Sequence, residues 1–291
     1  MTIAPKTHRP LTITVANEKG GVGKTSITRL LPYELASRGY KTLVVDADPQ
    51  SNLTKTMGIT RQRNEPNSIF VFDITMMAAV RDGDLSQAVF NIVPNLDVIP
   101  SQIDFKNFPT WLIKKYGIAE QRDPDYLSIE KERVFVLRRL LEPIKGNYDF
   151  IFIDTPPTTS AYTRNATVAS DYVIIAFQTQ SDSLDGAIAF INDDLKELVE
   201  TFNAPTDVLG ILPNQVTRDG SIDRVVVNDA IEKFGKQNMF TNIIPFAKRI
   251  QAIPRTGISK DGYWEGKLFR EVIEPLTDDF LNRLKMVGEA D

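Results

Sequence analysis

Residues 17–26 read Asn-Glu-Lys-Gly-Gly-Val-Gly-Lys-Thr-Ser. They follow an alternating apolar stretch, Leu11 to Ala16, and lead into a helical pattern that runs from about Lys24 toward Arg38 until Gly39 stops it. A glycine-rich turn in that setting dictates a strand–loop–helix unit. Gly20, Gly21 and Gly23 can adopt backbone angles closed to other residues, so consecutive N–H groups can converge on one phosphate, and the helix N-terminus adds partial positive charge. Within such a cradle, completed by Val22 and Ser26, Lys24 is expected to reach the β- and γ-phosphates of a nucleoside triphosphate and Thr25 to ligate magnesium through its hydroxyl. The standard spacing asks for glycine five residues before Gly23. Glu18 stands there instead, and a second lysine, Lys19, precedes the glycine pair.

Two further strands point at the same chemistry. Lys41 to Val45 delivers Asp46-Ala47-Asp48-Pro49-Gln50 at its carboxyl end, and Tyr148 to Ile153 delivers Asp154-Thr155-Pro156-Pro157. A lone Asp after a strand is more often a cap or a turn residue. In open parallel α/β sheets, however, ligands bind beyond the carboxyl ends of the strands, so all three loops are expected to share one rim. Phosphoryl transfer needs a metal ion and a positioned water there.

The remaining pattern alternates strands and helices without an internal repeat, which predicts an α/β fold: a mostly parallel twisted sheet with helices on both faces. Helical patterns cover Ile69–Val80, Ser86–Phe90, Ile129–Lys145, Ser183–Phe202 and Leu268–Met286, the last broken or kinked at Pro275; Pro32 is expected to kink the helix after the phosphate loop. Further strands are expected at Leu96–Ile99, Tyr172–Phe177, Val208–Leu212 and Asn242–Ile244. Residues 104–128, interrupted by Pro109, Gly117 and Pro124, form the least regular stretch. One domain is expected over residues 11–287, after a flexible segment 1–10 and before a short acidic tail, 288–291.

Lys-Gly-Gly-Val-Gly-Lys-Thr, Val-Val-Asp-Ala-Asp-Pro-Gln and Phe-Ile-Asp-Thr-Pro-Pro resemble the deviant Walker A P-loop ATPases, and more narrowly the ParA family that partitions plasmids and chromosomes. The resemblance extends through Asn95–Ser101, Leu140–Pro143 and Ile244 to Pro254, covering most of the chain. It implies a magnesium-dependent ATPase with ATP and Mg2+ as cofactors. Lys24 would hold the phosphates of its own nucleotide and Lys19 would reach across an ATP-dependent homodimer to the partner's. Thr25 would bind magnesium directly and Asp154 through water; Asp48 would orient the attacking water, with Asp46 beside the metal. Asn214 resembles the adenine-recognising position, and Pro245 lies in the segment packed near the base. Arg218 and Arg249 match nonspecific DNA contacts of chromosomal relatives, and Lys248 is a helper. The implied partners are nonspecific double-stranded DNA and a ParB-like centromere-binding protein that stimulates slow hydrolysis, in a cytoplasmic, nucleoid-associated setting. Ser51 replaces a glycine common in relatives, and Phe246-Ala247-Lys248-Arg249 replaces a more basic sequence. With the first strand starting at Leu11, an amino-terminal helix-turn-helix is not expected.

Composition fits this reading. The net charge of −4 hides an asymmetry: between Pro213 and Arg270, ten Lys and Arg against six Asp and Glu give +4, leaving −8 for the rest. Such a surface can hold phosphates although the whole chain is acidic. The absence of Cys excludes disulfides and thiolate metal sites, including the iron–sulfur ligation of the nitrogenase iron protein. His8 is the only histidine, no run of 18 apolar residues occurs, and no membrane association is expected. A membrane-cycling positioning ATPase like MinD would end in a basic amphipathic helix, but here Asp278, Asp279, Glu289 and Asp291 flank residues 280–287. A metabolic ATP-dependent ligase of the same fold, such as dethiobiotin synthetase, is the other alternative.

Overall fold

Alternation along the strands sorts the core into two layers. The computed structural model describes residues 7–66, 71–217 and 221–290. Its eight strands are β1 (Leu11–Ala16), β2 (Thr42–Asp46), β3 (Phe90–Val93), β4 (Leu96–Ile99), β5 (Phe150–Asp154), β6 (Tyr172–Gln178), β7 (Asp207–Val216) and β8 (Ile244–Pro245). They lie in the order β3-β4-β2-β5-β1-β6-β7-β8. Every pairing is parallel except β3 with β4. The described helices are α1 (Lys24–Ser37), α2 (Asn52–Asn64), α3 (Met76–Asp82), α4 (Phe108–Tyr116), α5 (Tyr126–Val134), α6 (Val136–Lys145), α7 (Ala161–Ala169), α8 (Ser181–Ala189), α9 (Lys196–Phe202), α10 (Ser221–Phe234), α11 (Lys248–Thr256), α12 (Tyr263–Leu268) and α13 (Glu274–Met286).

Because successive strand side chains point to opposite faces, Val44 and Phe152 join one core cluster while Leu43, Val45, Ile151 and Ile153 join another. The first cluster takes residues from α1, α2, α11 and α13; the opposite face is covered by α3, α4, α6 and α7, and beyond β1 by α8, α9 and α10. A sheet covered on both sides requires strands apolar on both sides, and β1, β2 and β5 are buried along their whole lengths. The expected fold class is therefore the observed one.

Several boundaries differ from expectation. The helix expected over Ile69–Val80 begins only at Met76, where the Thr75 hydroxyl accepts from the Ala78 N–H; Ile69 itself lies outside the described residues. Ser86–Phe90 is not one helix. The Asp84 carboxylate caps a single 3-10 turn, Leu85–Ala88, and Phe90 opens the antiparallel edge strand β3. The helix expected from Ile129 is divided at Phe135 into α5 and α6. α1 runs through Pro32 without being lost, as expected, and Pro275 lies in the first turn of α13 directly after the π-helical stretch Phe269–Ile273. Residues 190–195 and 269–273 are π-helical stretches.

The amino-terminal segment, expected to be flexible, is pinned from Thr7 onward to the acidic tail. The His8 N–H donates to the Glu289 carbonyl, and Thr7 bridges to Ala290. Arg9 then pairs with both Glu289 and Asp171, and Asp171 also accepts from Lys145 at 2.8 Å and from the Thr12 N–H at 2.7 Å. Burial opposes ionisation of Asp171, yet these donors hold its carboxyl below the ordinary range.

Candidate nucleotide site

β1 hands the chain to the glycine-rich loop, and α1 begins at Lys24 with Gly23 as its cap at φ +89°. Gly21 takes φ +82°. A Cβ at Gly23 would lie 2.0 Å from Asn214 Nδ2, so only glycine fits there. The loop's shape is set from outside by three amides. Asn214 Nδ2 donates to the Val22 carbonyl at 2.6 Å, and Gln215 Nε2 and Gln178 Nε2 both donate to the Gly21 carbonyl, at 2.7 and 3.0 Å. With carbonyls drawn toward β6 and β7, loop N–H groups are left for an anion. Below the loop, the buried Asn17 side chain donates to the Ala176 and Ser183 carbonyls and accepts from the Lys19 N–H.

Lys24 is buried, and its Nζ donates to the carbonyls of Asn17 at 2.9 Å and Lys19 at 3.2 Å. Burial lowers its pKa to about 8, against the pull of Asp154 and Asp48. Lys19 behaves differently: its ammonium is half exposed and pairs with the exposed Asp182 at 3.2 Å, a contact of little energetic weight.

The strand-end carboxylates meet beside the loop as expected. Asp46 and Asp154 are register partners, each the last residue of its strand. Asp46 is fully buried and accepts from Thr54, through both N–H and hydroxyl, and from the Asp48 N–H. It therefore braces the start of α2 and the turn bearing Asp48. Asp48 accepts from the Gln50 N–H, and Ser51 closes that turn at φ +58°. Asp154 is also buried; neither of its oxygens meets the geometry of a hydrogen bond, although the Thr25 hydroxyl lies near enough to favour its ionised form. Burial, together with the negative charge of Asp46, pushes its pKa up. An uncompensated buried carboxylate beside a hydroxyl suits a hard cation. Among the described residues no group of three or more His, Cys, Asp and Glu side chains could hold a metal alone, so a magnesium ion here would need phosphate oxygens as well.

A crevice next to the loop is lined by Ser26, Asn214, Pro245, Phe246, Ile250 and Gln251, among others. It brings Asn214 and Pro245 together with the start of α1. Lys248 and Arg249 open α11 immediately beyond and are exposed. Arg218 lies outside the described residues.

Sequence reasoning missed Gln178, Gln215 and Arg29. Gln178 ends β6 and Gln215 is the next-to-last residue of β7, so the strand-end rule that singled out Asp154 also covered them. Arg29 gave no such signal: buried within α1, it donates to Ser26 Oγ, to Thr56 of α2 and to the Ile250 carbonyl of α11.

The AAA domain family matches residues 11–208. The Bacillus subtilis sporulation initiation inhibitor protein Soj is 31% identical over 246 residues, covering 84% of this chain and 88% of Soj. The chromosome partitioning protein ParA of Caulobacter vibrioides is 29% identical over 248 residues, 84% of each chain. Among solved structures, apo McdA from Cyanothece superposes with a TM-score of 0.75 at 21% identity, covering 94% of this chain and 99% of McdA. Cobyrinic acid a,c-diamide synthase from Mycobacterium smegmatis, with bound ATP analog and magnesium, superposes at 0.71 with 21% identity over 96% of this chain and 97% of that one.

Proposed function

Since the chain belongs to the ParA/Soj family of AAA-domain ATPases, we propose that it is an ATP-driven DNA-partitioning switch, in which an ATP-bound homodimer binds duplex DNA without sequence preference and a ParB-like partner triggers release. The observation that carries the reading is the pairing of a preformed phosphate loop with the unpartnered buried carboxylate of Asp154. Residues 11–287 form the ATPase domain in this proposal. Gly20 to Ser26 bind the phosphates, with Lys24 donating to them in place of the Asn17 and Lys19 carbonyls. Thr25 and Asp154 would hold Mg2+, which supplies charge neutralisation of the phosphates, and Asp46 supports them through its hold on α2. Asp48 orients the attacking water, and Lys19 leaves its weak pairing with Asp182 to reach the partner's nucleotide. Pro245 packs near the base, while Asn214 recognises it from the residue that also holds the loop. Arg218, Lys248 and Arg249 contact DNA phosphates.

The membrane-cycling alternative would need a free apolar face on the last helix. In α13, Leu276, Phe280 and Leu284 are buried in the main core, and no described helix is long and apolar enough to cross a membrane. The test is binding to random-sequence duplex by fluorescence anisotropy at fixed salt, with magnesium plus ATP, ADP or no nucleotide. Tight binding only with ATP, abolished in Lys24→Ala, is expected. Equal binding in all three states would sink the switch, and none at all would redirect attention to a small-molecule substrate of the kind the metabolic alternative requires.

A further inference from the structure

Beyond the phosphate contacts, the basic surface carries two large aromatic side chains with no core to fill. Tyr263 and Trp264 are 69% and 52% exposed, with their rings perpendicular at a centroid distance of 5.0 Å. Cations from two helices lie over the Trp264 ring: the Arg249 guanidinium of α11 at 6.0 Å and the Lys267 ammonium of α12 at 5.8 Å. Glu265, 3.5 Å from Arg249, and Glu271, 3.7 Å from Lys267, pair with these cations at exposed positions, contacts of little energetic weight that leave both free to turn to a phosphate. Residues 248–270 contain six Lys and Arg (248, 249, 255, 260, 267, 270) and two acids (261, 265), a balance of +4 on a chain of −4. Exposed Trp and Tyr are individually unremarkable on a protein surface, but here they sit inside the most basic segment and share its cations.

We propose that Tyr263 and Trp264 are a stacking platform for unpaired bases of DNA, with Arg249 and Lys267 holding the adjoining phosphates. The charge selects a polyanion, and the rings select among polyanions. Bases in an intact duplex present no free faces, whereas single strands bind proteins by combining a basic track with aromatic rings on which bases stack. The inference rests on the DNA-binding reading above but differs from it in the form of DNA contacted. It gives the surface an affinity component that salt does not screen.

The chain's only other tryptophan, Trp111, is packed beside Phe108, so a Trp111→Phe variant reports on Trp264 alone. With magnesium and ATP at fixed salt, this variant is titrated with an oligothymidylate of about 15 nucleotides and with a duplex of equal length. Emission is expected to change on saturation with the single strand. In the chain with both tryptophans otherwise intact, Trp264→Ala should bind oligothymidylate about tenfold more weakly, with the salt slope unchanged and duplex affinity within about twofold; Trp264→Phe, which keeps a ring, should restore most of the loss. Unchanged emission at saturation, equal losses for both DNA forms, or an emission change driven by protein concentration alone would each overturn the platform. Duplex binding that requires ATP without any single-strand response overturns this inference and leaves the partition reading intact. Binding to neither DNA overturns both.

Discussion

Asp154 is expensive to the fold as it stands, since a buried carboxylate without a partner is disfavoured against its neutral isostere. Asp154→Asn should therefore raise the nucleotide-free melting temperature, by a stability gain of about 1 kcal/mol. With magnesium and ATP the order should reverse, because the parent gains a compensating cation that the amide holds poorly, and hydrolysis should fall by about 100-fold or more. Differential scanning fluorimetry with and without nucleotide reads both effects; a variant that gains as much from ATP as the parent would count against the metal role. Ser51 presents the same logic in the backbone. At φ +58° it occupies the left-handed region that favours glycine, so Ser51→Gly should stabilise the chain by about 0.5–1 kcal/mol in denaturant unfolding, and a loss would show that the Ser51 hydroxyl contact to the Pro49 carbonyl outweighs the strain. The residues of the candidate site were legible because strand-end carboxylates and glycines declare themselves by position. Their restraints were not: that Asn214, Gln178 and Gln215 all aim at two loop carbonyls depends on the proximity of β1, β6 and β7, which no local pattern encodes.

Among elements, β1, β2 and β5 were read within a residue or two because their apolar runs are uninterrupted, whereas β7 runs four residues past the expected Leu212 through Pro213, Asn214 and Gln215. β3 was not expected as a strand, and its first residue, Phe90, was placed at the end of a helix, since a capped 3-10 turn precedes it and an edge strand with one fully buried residue in four carries little alternation. The division at Phe135 and the two π-helical stretches were equally hidden: each adds or removes one residue from a helical repeat while leaving the apolar spacing nearly intact. The clasp joining the chain ends was overlooked because Arg9, Lys145, Asp171 and Glu289 come from four separate segments. Its pH dependence follows from the depressed Asp171 pKa. The stabilisation is present above the ordinary carboxylate range, near pH 4, and is lost as pH falls through the lower folded value. Asp171→Asn should thus cost about 2 kcal/mol at pH 7, and the gap to the parent should close in acid. A gap of constant size from pH 7 to pH 3 in thermal melts would mean that the carboxylate acts by shape and not by charge.

At the scale of the whole molecule, one sheet brings the candidate nucleotide site and the basic helix α11 to one rim. α1, α2 and α11 pack against the same sheet face, and Arg29 ties them together by reaching from the loop helix to Thr56 and to the Ile250 carbonyl. The basic helix α11 therefore leans on the helix that follows the glycine-rich loop. If dimerisation completes the site, Lys19→Ala should still bind ATP within a few-fold of the parent, while hydrolysis falls by about 1,000-fold, as for arginine fingers supplied in trans. Retained hydrolysis in that variant, measured alongside sedimentation with ATP, would remove Lys19 from the chemistry. The clasp lies at the opposite end of this plan. Arg9 and Asp171 precede the amino ends of β1 and β6, whereas the phosphate loop follows the carboxyl end of β1, one strand length of about 20 Å away. Thr7 and Ala290, which bridge there, therefore tie the first and last described segments together on the side of the sheet away from the glycine-rich loop, so that a strain put on one is borne by the other and not by the loop.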